Sequence, residues 1–183
     1  MEDIISNDIK TSVLIYRLTE PVSPCMSYIL SDIAAKAIRI LFFYIPALIL
    51  LIILRGITVV HILPALLFML LANIIGYSLS FIIGCLSFWI TETWGIGSVK
   101  NLIVAVVAGS VFPFSILSDH VRSILLCTPF PYLSYVPSAI LLGELSSNML
   151  ALILIDIAWC VVFAVIAKMI WQAGKKKYES VGV

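Results

Sequence analysis

From Ile62 to Ile90 the chain carries no Asp, Glu, Lys or Arg, and that stretch decides most of what the rest can fold into. A helix needs about 20 apolar residues to cross the ~30 Å hydrocarbon core of a bilayer. Inside that core each backbone polar group must find a partner within the protein, which a helix supplies from its own segment. The surrounding composition agrees. Apolar residues make up 62% of the 183 and charged residues 11%, where a soluble domain has roughly 25% charged. The expected class is all-α, a polytopic helical membrane protein embedded in the lipid bilayer. A net charge of +1, with no basic-aromatic stripe, excludes nucleic acid as a partner.

Four full spans are expected, at about 33–54, 62–90, 102–117 and 149–171. In the first, only Ile40 to Leu54 is free of charge, too short for the hydrocarbon core at ~1.5 Å per residue. Lys36 and Arg39 should therefore lie at its inner end, heads at the interface, and Pro46 predicts a kink. In the second, Gly76, Ser80 and Gly84 repeat every four residues with Asn73 in register. Small side chains on one face predict close helix packing, and Asn73 is read as an interhelical hydrogen bond or a contact in substrate passage.

Between the third and fourth spans the chain is apolar but broken. Pro113, Pro129, Pro131 and Pro137 interrupt any helix, and Asp119, His120 and Arg122 are costly against lipid. Residues 118–148 are thus expected as a broken segment on the outer side, and 91–101 as a short loop. The first 31 residues form a separate cytosolic segment. Ile5, Ile9, Val13 and Tyr16 recur at helical spacing, too short a stripe to span, so it lies on the membrane surface or docks on a partner. Pro21 and Pro24 end it. Residues 172–183, with Lys175, Lys176 and Lys177, form a basic tail.

Four spans put both termini on one face. Lys10, Arg17, Lys36, Arg39, Lys100, Lys168 and the three terminal lysines fall there, against Arg55 and Arg122 opposite. The basic excess marks the cytosolic side, in a multi-pass protein of the cell membrane. Glu2, Asp3 and Asp8 stand where a cleavable signal would be basic and apolar.

Catalytic chemistry is not expected. The G-x-x-x-x-G-K-[ST] phosphate loop is absent, and the G-I-G-S-V-K at Gly95–Lys100 follows a membrane helix rather than a strand. Cys25, Cys85, Cys127 and Cys160 have no metal or redox spacing, and His61, Asp119, His120 and Glu144 lack H-x-H or H-x-x-x-H spacing. Ser110 with His120 is the one conceivable nucleophile and base. No metal, cofactor or catalytic residue is assigned. Asp156 is an acid deep in the last span, a candidate for a substrate or proton path or a protonated structural group.

Several segments resemble the permease subunits of ATP-binding-cassette exporters of the type-2 class. D-I-K-T-S-V-L-I-Y-R-L-T-E-P-V-S at Asp8–Ser23 is similar to the cytosolic segment before that family's third span, and F-W-I-T-E-T-W-G at Phe88–Gly95 to the end of its fourth. A-G-S-V-F-P-F at Ala108–Phe114 and P-F-P-Y-L-S-Y-V-P-S-A-I-L-L-G at Pro129–Gly143 resemble its fifth span and broken outer segment. W-Q-A-G-K-K-K-Y-E-S-V-G at Trp171–Gly182 resembles its C-terminal tail. Ser12 stands where glycine is usual, Glu20 where a basic residue is common, Ser118 for a frequent proline and Asp156 for a frequent glutamine. Family members usually have six spans, so the chain is expected to lack the first two. The resemblance implies ATP-driven export, with a separate ABC ATPase subunit and a second permease subunit, identical or not. It also implies a coupling helix, placed on Ile5, Ile9, Val13, Leu18 and Pro21. The other reading is a truncated, non-transporting membrane fragment or scaffold.

Overall fold

The computed structural model describes residues 1–90, 93–111, 114–145 and 148–180, with only the backbone for residues 115, 179 and 180. Among the described residues, three helices are long and apolar enough to cross a membrane. The first is built from α3 (Pro24–Arg39), a π turn (Ile40–Tyr44) and α4 (Ile45–Arg55). Pro24 opens it at the first helical position, where the missing N–H costs nothing. The kink expected from Pro46 takes the form of that π turn. The proline has no N–H to donate and its ring crowds the carbonyl four residues back, and the turn just before it is widened, Ile45 N–H donating to Ile40 O. Gly56 ends the span in the left-handed region at φ 62°, its N–H donating to Ile52 O at 2.9 Å.

The second span is α5 (Val59–Cys85), continued by a 3₁₀ turn at Leu86–Phe88. The last is α9 (Met149–Ser180). It carries the helix through Lys175, Lys176 and Lys177, so the expected basic tail from 172 is helical as far as Ser180. These residues hold no helix breaker, and lysines in a last turn suit the helix dipole.

The expected third span is shorter than predicted. It is α6 (Trp94–Val107), fourteen residues or about 21 Å. The glycines of the expected loop at 91–101 belong to its first turns, while Thr91 and Glu92 lie outside the described residues. The helix stops because Gly109 turns left-handed at φ 81°. The backbone N–H of Tyr135 then donates to Ala108 O at 3.1 Å, so the broken segment captures this helix end. That segment holds α7 (Asp119–Leu126), a 3₁₀ turn at Phe130–Leu133 and α8 (Tyr135–Leu141). Pro113 lies outside the described residues; Pro129, Pro131 and Pro137 fall at or near the starts of short helices, as expected.

The N-terminal stripe is not one helix. It divides into α1 (Glu2–Lys10) and α2 (Val13–Thr19), with Ser12 left-handed at φ 60° between them. A non-glycine residue there costs about 1–2 kcal/mol, which gives a physical reason for the glycine usual in the resembling proteins.

Two apolar cores hold the described residues together. One lies at the end of the bundle carrying both termini and joins Ile5, Ile9, Leu14, Tyr28, Phe81 and Phe88. The other lies at the opposite end, where Tyr132, Val136 and Ile140 of the broken segment pack on Ala65 and Phe68. α5 and α9 pack directly, Phe81 against Trp171 at 5.5 Å within the first core and Cys160 Sγ 3.5 Å from Leu71 O between the two. By contrast, no residue in the most apolar window of the first span is buried.

Candidate coupling and translocation site

The N-terminal pair of helices forms a small braced unit. The Asp8 carboxylate accepts from Tyr28 Oη at 2.9 Å and lies 2.6 Å from Arg17 Nε. Arg17 also donates to Ser27 Oγ at 2.8 Å, and its guanidinium lies 4.8 Å from the centre of the Tyr28 ring. Asp8, Arg17 and Tyr28 come from α1, α2 and α3, so one network fixes the fold-back at Ser12 and its exit into the first span. Sequence reasoning missed it. The nine-residue separation of Asp8 and Arg17 fits no helical pairing rule, and the contact exists only because Ser12 reverses the chain.

A second set of bonds holds α1 on the membrane helices. Lys100 Nζ of α6 donates to Glu2 Oε2 at 2.7 Å, and Thr93 Oγ1 donates to Ser6 Oγ at 2.9 Å. Gly97 admits the Glu2 carboxylate, since a Cβ there would lie 2.9 Å from Oε1. Gly84 does the same for Ile5: an added Cβ would lie 2.8 Å from Ile5 Cβ. Close backbone approach thus requires glycine at 84.

This burial changes the expected docking stripe. Ile5 and Ile9 are buried on α5, so they have an internal partner and present no surface to another protein. Leu18 is partly buried on the same core. Val13 and Tyr16 are exposed, Tyr16 at 73%, and Pro21 is exposed as well. The reason is the break at Ser12, which turns α2 away from the face that α1 presents.

The expected packing face of α5 is also divided. Gly84 meets α1, and Ser80 accepts from Lys100 at 3.3 Å. Gly76 approaches Leu133 in the broken segment. Asn73 accepts from Lys36 of the first span at 3.1 Å. Four elements touch this face rather than the single helix expected, because α5 meets α9 along a different stripe. Lys36 makes two further contacts. It pairs with Asp32 at 3.1 Å and lies 3.8 Å from the Tyr77 ring centre.

Asp156 is fully buried, and neither carboxylate oxygen has a hydrogen-bond partner among the described residues. It lies one turn from Leu152, which belongs to the core under Tyr132, and one turn from Cys160, which contacts α5. The acid therefore faces protein. Ser110, weighed with His120 as a catalytic pair, donates to Ser134 Oγ at 3.2 Å. All four cysteines are free, and the described residues hold no cluster of metal ligands.

The arrangement is a pair of short helices braced against a bundle of apolar helices, with an exposed tip at Val13 and Tyr16. No curated protein and no solved structure matches the chain. The family model described as ABC-2 family transporter protein matches residues 3–182. With almost the whole length covered, the chain belongs to the ABC-2 family of transporter proteins, as a membrane permease component.

Proposed function

We propose that the chain is the permease of an ABC exporter, and that α1 and α2 receive the push of a separate ATPase subunit. The observation that carries this reading is the brace described above. An exposed tip at Val13 and Tyr16 connects through Asp8, Arg17 and Tyr28 to the first span. It connects through Ile5 and Gly84 to α5. In this account Ile5, Ile9 and Leu18 transmit force while Val13 and Tyr16 make contact, with Pro21 beside the exit. Both termini face the cytosol in the cell membrane. A second permease subunit, identical or different, completes the transporter. Co-purification of the ATPase, with and without acidic residues at 13 and 16, tests the coupling.

Asp156 is proposed for the translocation path. A charged residue at the centre of a membrane helix costs about 2.5–3.5 kcal/mol on insertion scales, so the bundle must shield it. Asp156→Asn conserves shape and is expected to leave folded yield in membranes within about twofold of the parent. A thiol at position 156 in an otherwise cysteine-free chain should escape a lipid-soluble maleimide. Labelling there would place the side chain against lipid and remove it from any path.

A further inference from the structure

A polar seam runs along α5, meeting the first span at Asn73 and Tyr77 and α6 at Ser80. Asn73, Tyr77 and Ser80 are spaced four and three residues apart, which puts them on one face of α5. Lys36 reaches that face from one side and Lys100 from the other, each holding its own carboxylate, Asp32 and Glu2. Asn73 is the fifteenth of the 27 residues of α5, about 21 Å from its start, near the middle of a helix long enough to span. The two ion pairs differ in enclosure. Lys100 and Glu2 are each 16% exposed, whereas Lys36 is 35% and Asp32 21%, and Asn73 is exposed.

Polar side chains left open at that depth are expensive against lipid and are found facing protein or a water-filled cavity. We infer that the seam is a water-filled path, reaching Asn73 from the end of the bundle that carries both termini, for an amphiphile whose polar head bears no net charge. The head-group class follows from the charges. Asp32, Lys36, Glu2 and Lys100 are two of each sign, so the seam attracts neither ion outright but offers both donors and acceptors. A zwitterionic or hydroxyl-bearing head can exchange with these pairs, while the apolar helices on either side accommodate its tail. This inference rests on the permease reading for its purpose. Its test needs neither ATP, the ATPase nor cargo, so the two can fail separately.

The test places single cysteines at Asn73 and Ser80 in the full chain, with the four native cysteines replaced by alanine. Opened membrane fragments are exposed to two water-soluble methanethiosulfonates, the anionic sulfonatoethyl and the cationic trimethylammonioethyl reagent. Leu154→Cys, exposed on α9, serves as the lipid-facing reference, and labelling after detergent unfolding sets the full scale. Both reagents should modify position 73 or 80 at least about tenfold faster than position 154, at rates within about threefold of each other. Unbalancing the pair should then split them. Lys36→Gln favours the cationic reagent at position 73 by about tenfold, and Asp32→Asn favours the anionic one, as expected for one unit charge nearby in a protein of intermediate dielectric. Rates no faster than at position 154 would overturn the path, since lipid or a protein partner then covers the seam. A strong charge preference in the parent would overturn the uncharged head group.

Discussion

Gly84→Leu should release α1 from the membrane bundle. A single Cβ at this position already falls 2.8 Å from Ile5 Cβ and 3.2 Å from Glu2 O, inside van der Waals contact. Leucine adds three further carbons in a place where the obstruction includes backbone, which cannot rotate aside. The helix must therefore move away, and with it goes the burial of Ile5 and Ile9. Each such side chain is worth roughly 1.5–3 kcal/mol, so the expected loss is about 3–6 kcal/mol of local docking stability. The readout is proteolysis of membrane-embedded protein at Lys10, which should accelerate strongly while α5 still inserts. Gly84→Ala should show a smaller effect, of the order of the 1–3 kcal/mol seen for overpacking. Unchanged cleavage in Gly84→Leu would mean that α1 does not rest on α5.

Asp8→Ala should come next in size. It removes the carboxylate that holds both Arg17 Nε and the Tyr28 hydroxyl. Breaking a buried ion pair from one side costs about 3–5 kcal/mol. Arg17 keeps 24% of its side-chain surface, so water screens it in part, and about 2–3 kcal/mol is the better expectation. Thermal unfolding in detergent should show the drop. The double change Asp8→Ala with Arg17→Leu should recover part of it, because the stranded cation is gone. Equal and additive losses would contradict a coupled pair.

The membrane class and three of the four helical segments were legible because hydropathy acts along the chain, residue by residue. The helix–π turn–helix form of the first span follows from Pro46, and the broken segment from its prolines. What escaped the sequence depends on contacts between distant residues. The stripe Ile5, Ile9, Val13 and Tyr16 is regular enough to predict one helix, yet the left-handed Ser12 divides it. Spacing showed that Gly76, Ser80 and Gly84 share a face, but not that α6, α1 and the broken segment would each take a portion of it. The third span was overextended for a similar reason. Its apolar run continues past Val107, and only capture of Ala108 by Tyr135 ends the helix. Asp156 was visible as an acid in an apolar span, though its lack of any described hydrogen-bond partner was not.

The proposed coupling to an ATPase runs through the tip of α2. Val13 and Tyr16 are exposed on α2, as Ile4 is on α1, while Ile5, Ile9 and Leu14 are buried. Seating both on a partner contributes roughly 1.5–3 kcal/mol each before ordering costs. Val13→Asp with Tyr16→Asp should therefore weaken attachment of the ATPase by about tenfold to a few hundredfold, at ~1.4 kcal/mol per tenfold. Neither residue belongs to a core, so folded yield should stay near that of the parent. The deciding measurement is recovery of the ATPase with the affinity-purified permease, compared between the parent and this double variant at equal permease yield. The account predicts that the parent retains the ATPase and the variant loses most of it. Equal recovery from both would contradict coupling through this tip.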